Sequence, residues 1–117
     1  HHLNVLANGN VGIGTTTPSS TLDLHGSLEL NIVNKTADYT AASETIINCT
    51  ANTFTVTLPT AVGIDGRYYT IKNSGTGVIT VATTSSQTID GAATKSLPTQ
   101  YDKVTVVSDG ANWIIIG

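Results

Sequence analysis

Thr21-Leu22-Asp23-Leu24-His25-Gly26-Ser27-Leu28-Glu29-Leu30-Asn31-Ile32 alternates without a slip. Leucine, isoleucine or glycine holds each even position, and Thr, Asp, His, Ser, Glu or Asn each odd one. Period-two alternation is the mark of extended chain, because successive side chains of a strand point to opposite faces. An extended segment here puts every leucine on one face, with Gly26 as the point where it can divide into two strands. Upstream, Asn8-Gly9-Asn10-Val11-Gly12-Ile13-Gly14-Thr15 and Thr17-Pro18-Ser19-Ser20 read as a tight turn, a short Gly-rich strand and a second turn.

Downstream, from about Thr36, the same period recurs in short runs. Thr53-Phe54-Thr55-Val56-Thr57-Leu58 alternates cleanly and stops at Pro59. Residues 67–73 and 78–83 flank Ser74-Gly75-Thr76-Gly77 and predict a hairpin. Thr88-Ile89-Asp90-Gly91 ends another short strand, and residues 101–108 and 112–116 flank Asp109-Gly110 as a second hairpin. The best helical composition, residues 41–47, is too short for a helix. Seven or so short strands with a turn signal about every ten residues predict an all-β, jelly-roll-like β-sandwich.

Composition narrows the function. The 117 residues carry 8 acids and 5 bases, and Thr, Ser and Asn supply 39 of them. Five scattered bases make no electrostatic footprint for nucleic acid or an anionic membrane. No stretch approaches the roughly 18 apolar residues that span a bilayer, and no signal-peptide pattern opens the chain. One cysteine allows neither an intrachain disulfide nor a cysteine-based zinc site. There is no Met, so the sequence reads as a piece of a longer chain, with His1 and His2 as the end of a purification tag. A chain poor in charge and rich in β-formers aggregates unless its strand edges are hidden.

Two segments point to self-association as the way those edges are hidden. The first thirty residues have a leucine face and little mass to cover it. Trp113-Ile114-Ile115-Ile116 is apolar on both faces, where a strand of a monomeric sandwich shows one polar face. Packing against sister chains covers both. The expected interface is Leu22, Leu24, Leu28, Leu30, Ile32, Ile114 and Ile116, each leucine contributing about 1.5–3 kcal/mol when buried.

The segment Gly9-Asn10-Val11-Gly12-Ile13-Gly14-Thr15, followed by Pro18, Leu22, Leu24 and Gly26, resembles a motif common in bacteriophage tail fibres and tail spikes, where it often forms an intertwined trimeric neck. Residues 69–77, 88–91 and 104–113 are similar, more loosely, to tail-fibre terminal domains. The resemblance implies a homotrimeric fibre tip on the virion that acts outside the cell by contacting the host surface. It divides the chain into a tag remnant (1–2), a thin β neck (3–35) and a β-sandwich tip (36–117). Many such necks continue into a self-cleaving chaperone domain; these 117 residues show no long helical region or Ser-centred cleavage segment, so self-processing is not carried over from the resemblance.

Candidate chemistry is sparse. Gly9, Gly12 and Gly14 lack dinucleotide-loop spacing and precede a strand rather than the helix that phosphate binding needs, so they read as turn and packing residues. Asp65, Asp90 and Asp109 each precede a glycine and read as turn acids, not as a glycosidase pair. His25 lies on the polar face of its strand, and Cys49 reads as a small buried hydrophobe. Two Asn-x-Thr sequons, at Asn34 and Asn48, match chance expectation.

Tyr68, Tyr69, Tyr101 and Trp113 are the possible sugar-stacking rings, with Arg67 beside them to orient a ligand through charge-assisted hydrogen bonds. Loops 60–66, 84–87 and 92–100 are the expected carriers of recognition. The sequence thus predicts no catalytic residue, no metal and no cofactor. It predicts adhesion to a host polysaccharide or protein receptor, the low charge favouring a neutral partner over a polyanion. A structural spacer and a non-catalytic accessory domain of a polysaccharide-degrading spike are the alternatives.

Overall fold

The computed structural model describes residues 3–117; the tag reading of His1 and His2 lies outside them. The described chain is all-β, with twelve strands in three sheets and no helix. It is elongated, 49 × 28 × 20 Å, with a radius of gyration of 16.9 Å against about 13 Å for a compact chain of this length.

The N-terminal sheet is small. β1 (Leu3–Val5) pairs antiparallel with β2 (Val11–Ile13), and β3 (Leu22–Leu24) pairs parallel with β2. Close packing explains two of the motif's glycines. A Cβ on Gly12 would lie 2.5 Å from the Thr15 carbonyl oxygen, and one on Gly14, at φ +77°, equally near that of His25.

The leucine run does not continue as one strand. β3 ends at Leu24, Gly26 takes φ +155°, and residues 25–31 join no strand. The reason is pairing: an extended segment needs a neighbour for its N–H and C=O groups, and between the His25 N–H, which donates to Ile13, and the Asn31 carbonyl, which accepts from Thr45 and Ile46, residues 26–30 have no strand of their own chain beside them. The next strand, β4 (Ile32–Lys35), which the sequence reading assigned to the neck, is an edge of the main five-stranded sheet.

β5 (Tyr39–Thr40), β6 (Ile46–Cys49), β7 (Phe54–Thr57), β8 (Tyr68–Asn73), β9 (Ile79–Ala82), β10 (Thr94–Leu97), β11 (Lys103–Ser108) and β12 (Trp113–Ile115) complete the body. The strand orders are β12-β11-β8-β6-β4 and β10-β9-β7-β5. From β4 to β9 the chain alternates between the sheets, so β4, β6 and β8 are parallel in one and β5, β7 and β9 in the other. The path is a coil of three turns, closed by antiparallel β10, β11 and β12. This is not the antiparallel connectivity of a jelly roll.

The expected hairpin across residues 67–83 is likewise replaced, since β8 and β9 lie in different sheets. Gly75 and Gly77 form a corner that stacks on the corner of the preceding turn. A Cβ on Gly77 would sit 2.5 Å from the Asn52 carbonyl carbon and 2.7 Å from the Thr53 nitrogen. The Asn73 amide locks the corner by donating to the carbonyls of Gly77 and Leu97, each at 2.8 Å. The second hairpin forms as expected, with Val107 opposite Ile114.

Alternation sets the core. Ile47, Cys49, Tyr69, Ile71, Val104, Val106 and Trp113 from one sheet meet Phe54, Val56, Ile79, Val81 and Leu97 from the other in a single buried cluster. Buried polar groups are paired. Gln87 accepts from the Ala61 N–H and donates to Thr60, and the Glu44 carboxylate accepts from the Ala42 N–H.

Candidate functional site

The expected binding residues separate into two groups. Tyr69 and Trp113 are core, their rings 5.7 Å apart and tilted by 60°. The Tyr69 hydroxyl donates to the Ala42 carbonyl and the Trp113 indole to that of Pro59. Arg67 stacks over the Tyr69 ring at 4.1 Å and donates to the carbonyls of Ser43, Glu44 and Tyr68. Its guanidinium therefore ties the 42–44 segment to β8. Tyr68 and Tyr101 are exposed, but they flank opposite ends of β8. Tyr101 N–H donates to the Asn73 carbonyl, and five residues of strand span about 17 Å. No single aromatic cluster forms. Of the expected recognition loops, 92–100 contains β10, and 84–87 contributes the buried Gln87.

The other candidates serve the fold. Asp109 accepts from the N–H groups of Asn112 and Ala111, which hold its carboxyl below the usual range. Asp90 accepts from the Ile115 N–H. Asp23 is lowered first by the Ser19 N–H and also by His25, 3.2 Å away. Cys49 is fully buried, and burial pushes its thiol up to about 11. Among the described residues, no three His, Cys, Asp or Glu side chains gather to hold a metal ion.

The expected interface positions are another matter. Leu22, Leu28, Leu30, Ile32, Ile114 and Ile116 are all exposed in the single chain, Ile32 at 54% and Ile116 at 60%, while Leu24 is half-buried. Within residues 3–31 only Gly12 and Pro18 are buried. The last strand divides as its sequence suggested: Trp113 and Ile115 turn to the core, Ile114 away from it.

Strand register gathers these residues into rows across the outer face of the five-stranded sheet. Ile32, Ile46, Thr70 and Thr105 lie side by side, and the Ile116 N–H donates to the Thr105 carbonyl at the end of the row. Tyr68, Val107 and Ile114 form a second row. The Thr70 and Thr105 hydroxyls bond to each other at 2.8 Å, so the rows carry almost no unsatisfied polar group. β4 is an open edge of this sheet, whereas the outer side of β12 is covered by residues 88–90: the Trp113 N–H donates to the Thr88 carbonyl, and the Trp113 carbonyl accepts from the Asp90 N–H.

A third row, toward the C-terminal ends of β4, β6 and β8, is polar: Asn34, Asn48, Lys72 and Lys103. Sequence reading missed it. Nothing in the local sequence brings Lys72 opposite Lys103; only the pairing of β8 with β11 does. No protein-family model matches the chain, and no curated protein matches it significantly.

Proposed function

We propose that this chain is the tip segment of a bacteriophage tail fibre: a homotrimer with an intertwined neck and a β-sandwich tip, carried on the virion and adhering to a receptor, a glycan above all, on the host cell surface. The reading assigns no residue to covalent chemistry. One observation carries it: exposed apolar side chains run from the neck leucines through Ile32 onto the outer face of the sheet, ending at Ile114 and Ile116. Exposed large apolar side chains gathered in this way mark an interaction site. The open edge at β4 supports the same reading, because association hides edges that invite aggregation. Three weak receptor sites held in one particle gain affinity from effective concentration with no added contact.

The first test is mass. Light scattering at micromolar concentration is expected to give about 36 kDa, three times the 12.1 kDa chain. The double variant Ile32→Lys/Ile116→Lys should fall to one chain's mass while keeping its β-type circular dichroism, since exposed substitutions usually change stability by under about 0.5 kcal/mol. A folded wild-type chain at 12 kDa refutes the trimer. For adhesion, the labelled trimer should bind host cells, and a trimer that binds no bacterial surface would leave the spacer reading in its place.

A further inference from the structure

The polar row carries a feature that the fold alone does not account for. Lys72 and Lys103 are direct cross-strand partners, and like charges at such positions, with Cβ atoms about 5 Å apart, destabilise a sheet. The chain has more acids than bases, yet neither ammonium has a carboxylate within 4.0 Å among the described residues. Among those residues the Lys103 ammonium makes no hydrogen bond, and that of Lys72 makes one, to the Tyr101 carbonyl at 2.7 Å.

The neighbours are arranged as donors. The Ser74 hydroxyl donates to Asn48 Oδ1, and Asn48 Nδ2 donates to Asn34 Oδ1 at 3.1 Å. This relay orients both amides and leaves Asn34 Nδ2 without an acceptor among the described residues.

Beside the row, Tyr101 is held at φ +74°, a conformation that a bulky side chain rarely adopts. Its N–H is bonded to the Asn73 carbonyl and its own carbonyl to Lys72. Tyr101 is 64% exposed, with the Lys72 ammonium 5.5 Å from its ring centroid. Backbone strain that the surroundings enforce is a pointer to a functional position.

We propose that Asn34, Asn48, Lys72, Lys103 and Tyr101 form a site for a carboxylate-bearing saccharide. The ammonium pair binds the sugar carboxylate, the Asn34 amide donates to a hydroxyl or ring oxygen, and the Tyr101 ring packs on the pyranose face. The row crosses four strands, about 14 Å at the usual strand spacing, which suits a short oligosaccharide rather than a single sugar. It lies at the ends of the parallel strands away from Ile32, where the neck joins, so it faces distally in a fibre. The proposal deepens the adhesion reading and rests on it for its biological setting. It also revises the expectation of a neutral partner: one charged group on an otherwise neutral sugar is enough.

The test is an NMR titration of the isotopically labelled 117-residue chain with a glucuronate-containing tetrasaccharide. The control ligand is the same tetrasaccharide with its carboxyls reduced to alcohols. The acidic ligand should shift the amides of residues 34, 48, 72 and 101–103, and the reduced one should bind about tenfold or more weakly, as expected for loss of a charged hydrogen bond. Lys103→Gln, which breaks no side-chain contact described above, should weaken the acidic ligand by a similar factor and leave the remainder of the spectrum unchanged. Equal binding of both ligands, shifts elsewhere on the surface, or an unaffected Lys103→Gln variant overturns the proposal. Cell adhesion by the trimer with no saccharide response at the row overturns the site alone and leaves the adhesion reading standing. Saccharide binding at the row without cell adhesion supports the site and counts against adhesion.

Discussion

Gly77→Ala separates the coiled path from the hairpin that the local sequence suggests, because the two give opposite signs. Gly77 has no positive φ to protect. In a free hairpin loop, alanine there would restrict the unfolded chain and stabilise the protein by about 0.4–1 kcal/mol. In the coil, the new methyl meets backbone, the Asn52 carbonyl group and the Thr53 nitrogen. Backbone held by β7 on one side and the Asn73 amide on the other cannot swing aside as a flexible side chain would. Overpacking costs about 1–3 kcal/mol, and the upper end applies to a backbone clash. Subtracting the unfolded-state gain leaves a net loss of about 2 kcal/mol. Unfolding entropy of about 2.1 cal/mol/K per residue makes 1 kcal/mol worth about 4 °C in a chain of this size, so the melting temperature should fall by about 8 °C. Thermal unfolding followed by circular dichroism at one fixed protein concentration measures this. Thr76→Ala, exposed and adjacent, is the control and should shift the melting temperature by no more than about 2 °C. An unchanged or raised melting temperature for Gly77→Ala would refute the stacked corner, and with it the assignment of β8 and β9 to different sheets.

The Cys49 thiol, buried and pushed up to about 11, should resist a thiol reagent at pH 8 until denaturant is added, then titrate as one thiol per chain; rapid labelling of the folded protein would contradict its burial. Burial by itself raises the Glu44 carboxyl, but the Ala42 and Glu44 N–H groups, the Tyr39 hydroxyl and Lys35 outweigh it and leave the pKa lowered. A lowered folded value means that the charged form stabilises the fold above the unfolded value, about 4.3, and that this contribution is lost as pH falls through the folded value. Glu44→Gln should therefore cost about 1–3 kcal/mol at pH 7 and progressively less toward pH 3, read from denaturation midpoints; a constant difference across that range would show that the charge contributes nothing.

What the sequence revealed and what it hid follow from the same property of strands. Alternation reports which side chains share a face, so the inward set Phe54, Val56, Tyr69, Ile71, Val104 and Val106 is legible from the period of the sequence. So is the division of the last strand into a core-facing Trp113 and an outward Ile114. Alternation says nothing about which sheet a strand enters. Ser74-Gly75-Thr76-Gly77 has the composition of a reversing turn, and what makes it a corner instead is its contact with Asn52 and Thr53, a packing relation with no local signature. The binding candidates divide along the same line. Reading by residue type selected Arg67, Tyr69 and Trp113, all of which are committed to carbonyls or to the core, because the groups that suit ligand binding also suit holding a low-charge fold together.

The Lys72–Lys103 pair shows the converse. Each lysine alone reads as an ordinary solvated side chain, and only cross-strand register makes them a pair. Three neighbouring rows on one sheet face then differ sharply in chemistry: two can be buried with little polar cost because Thr70 and Thr105 satisfy each other, while the third holds two ammoniums that burial would strand without partners. In the proposed trimer, a self-association face covering the first two rows would therefore stop at the third, and the ordering of rows along the strands would set where sister chains end and where the proposed ligand begins.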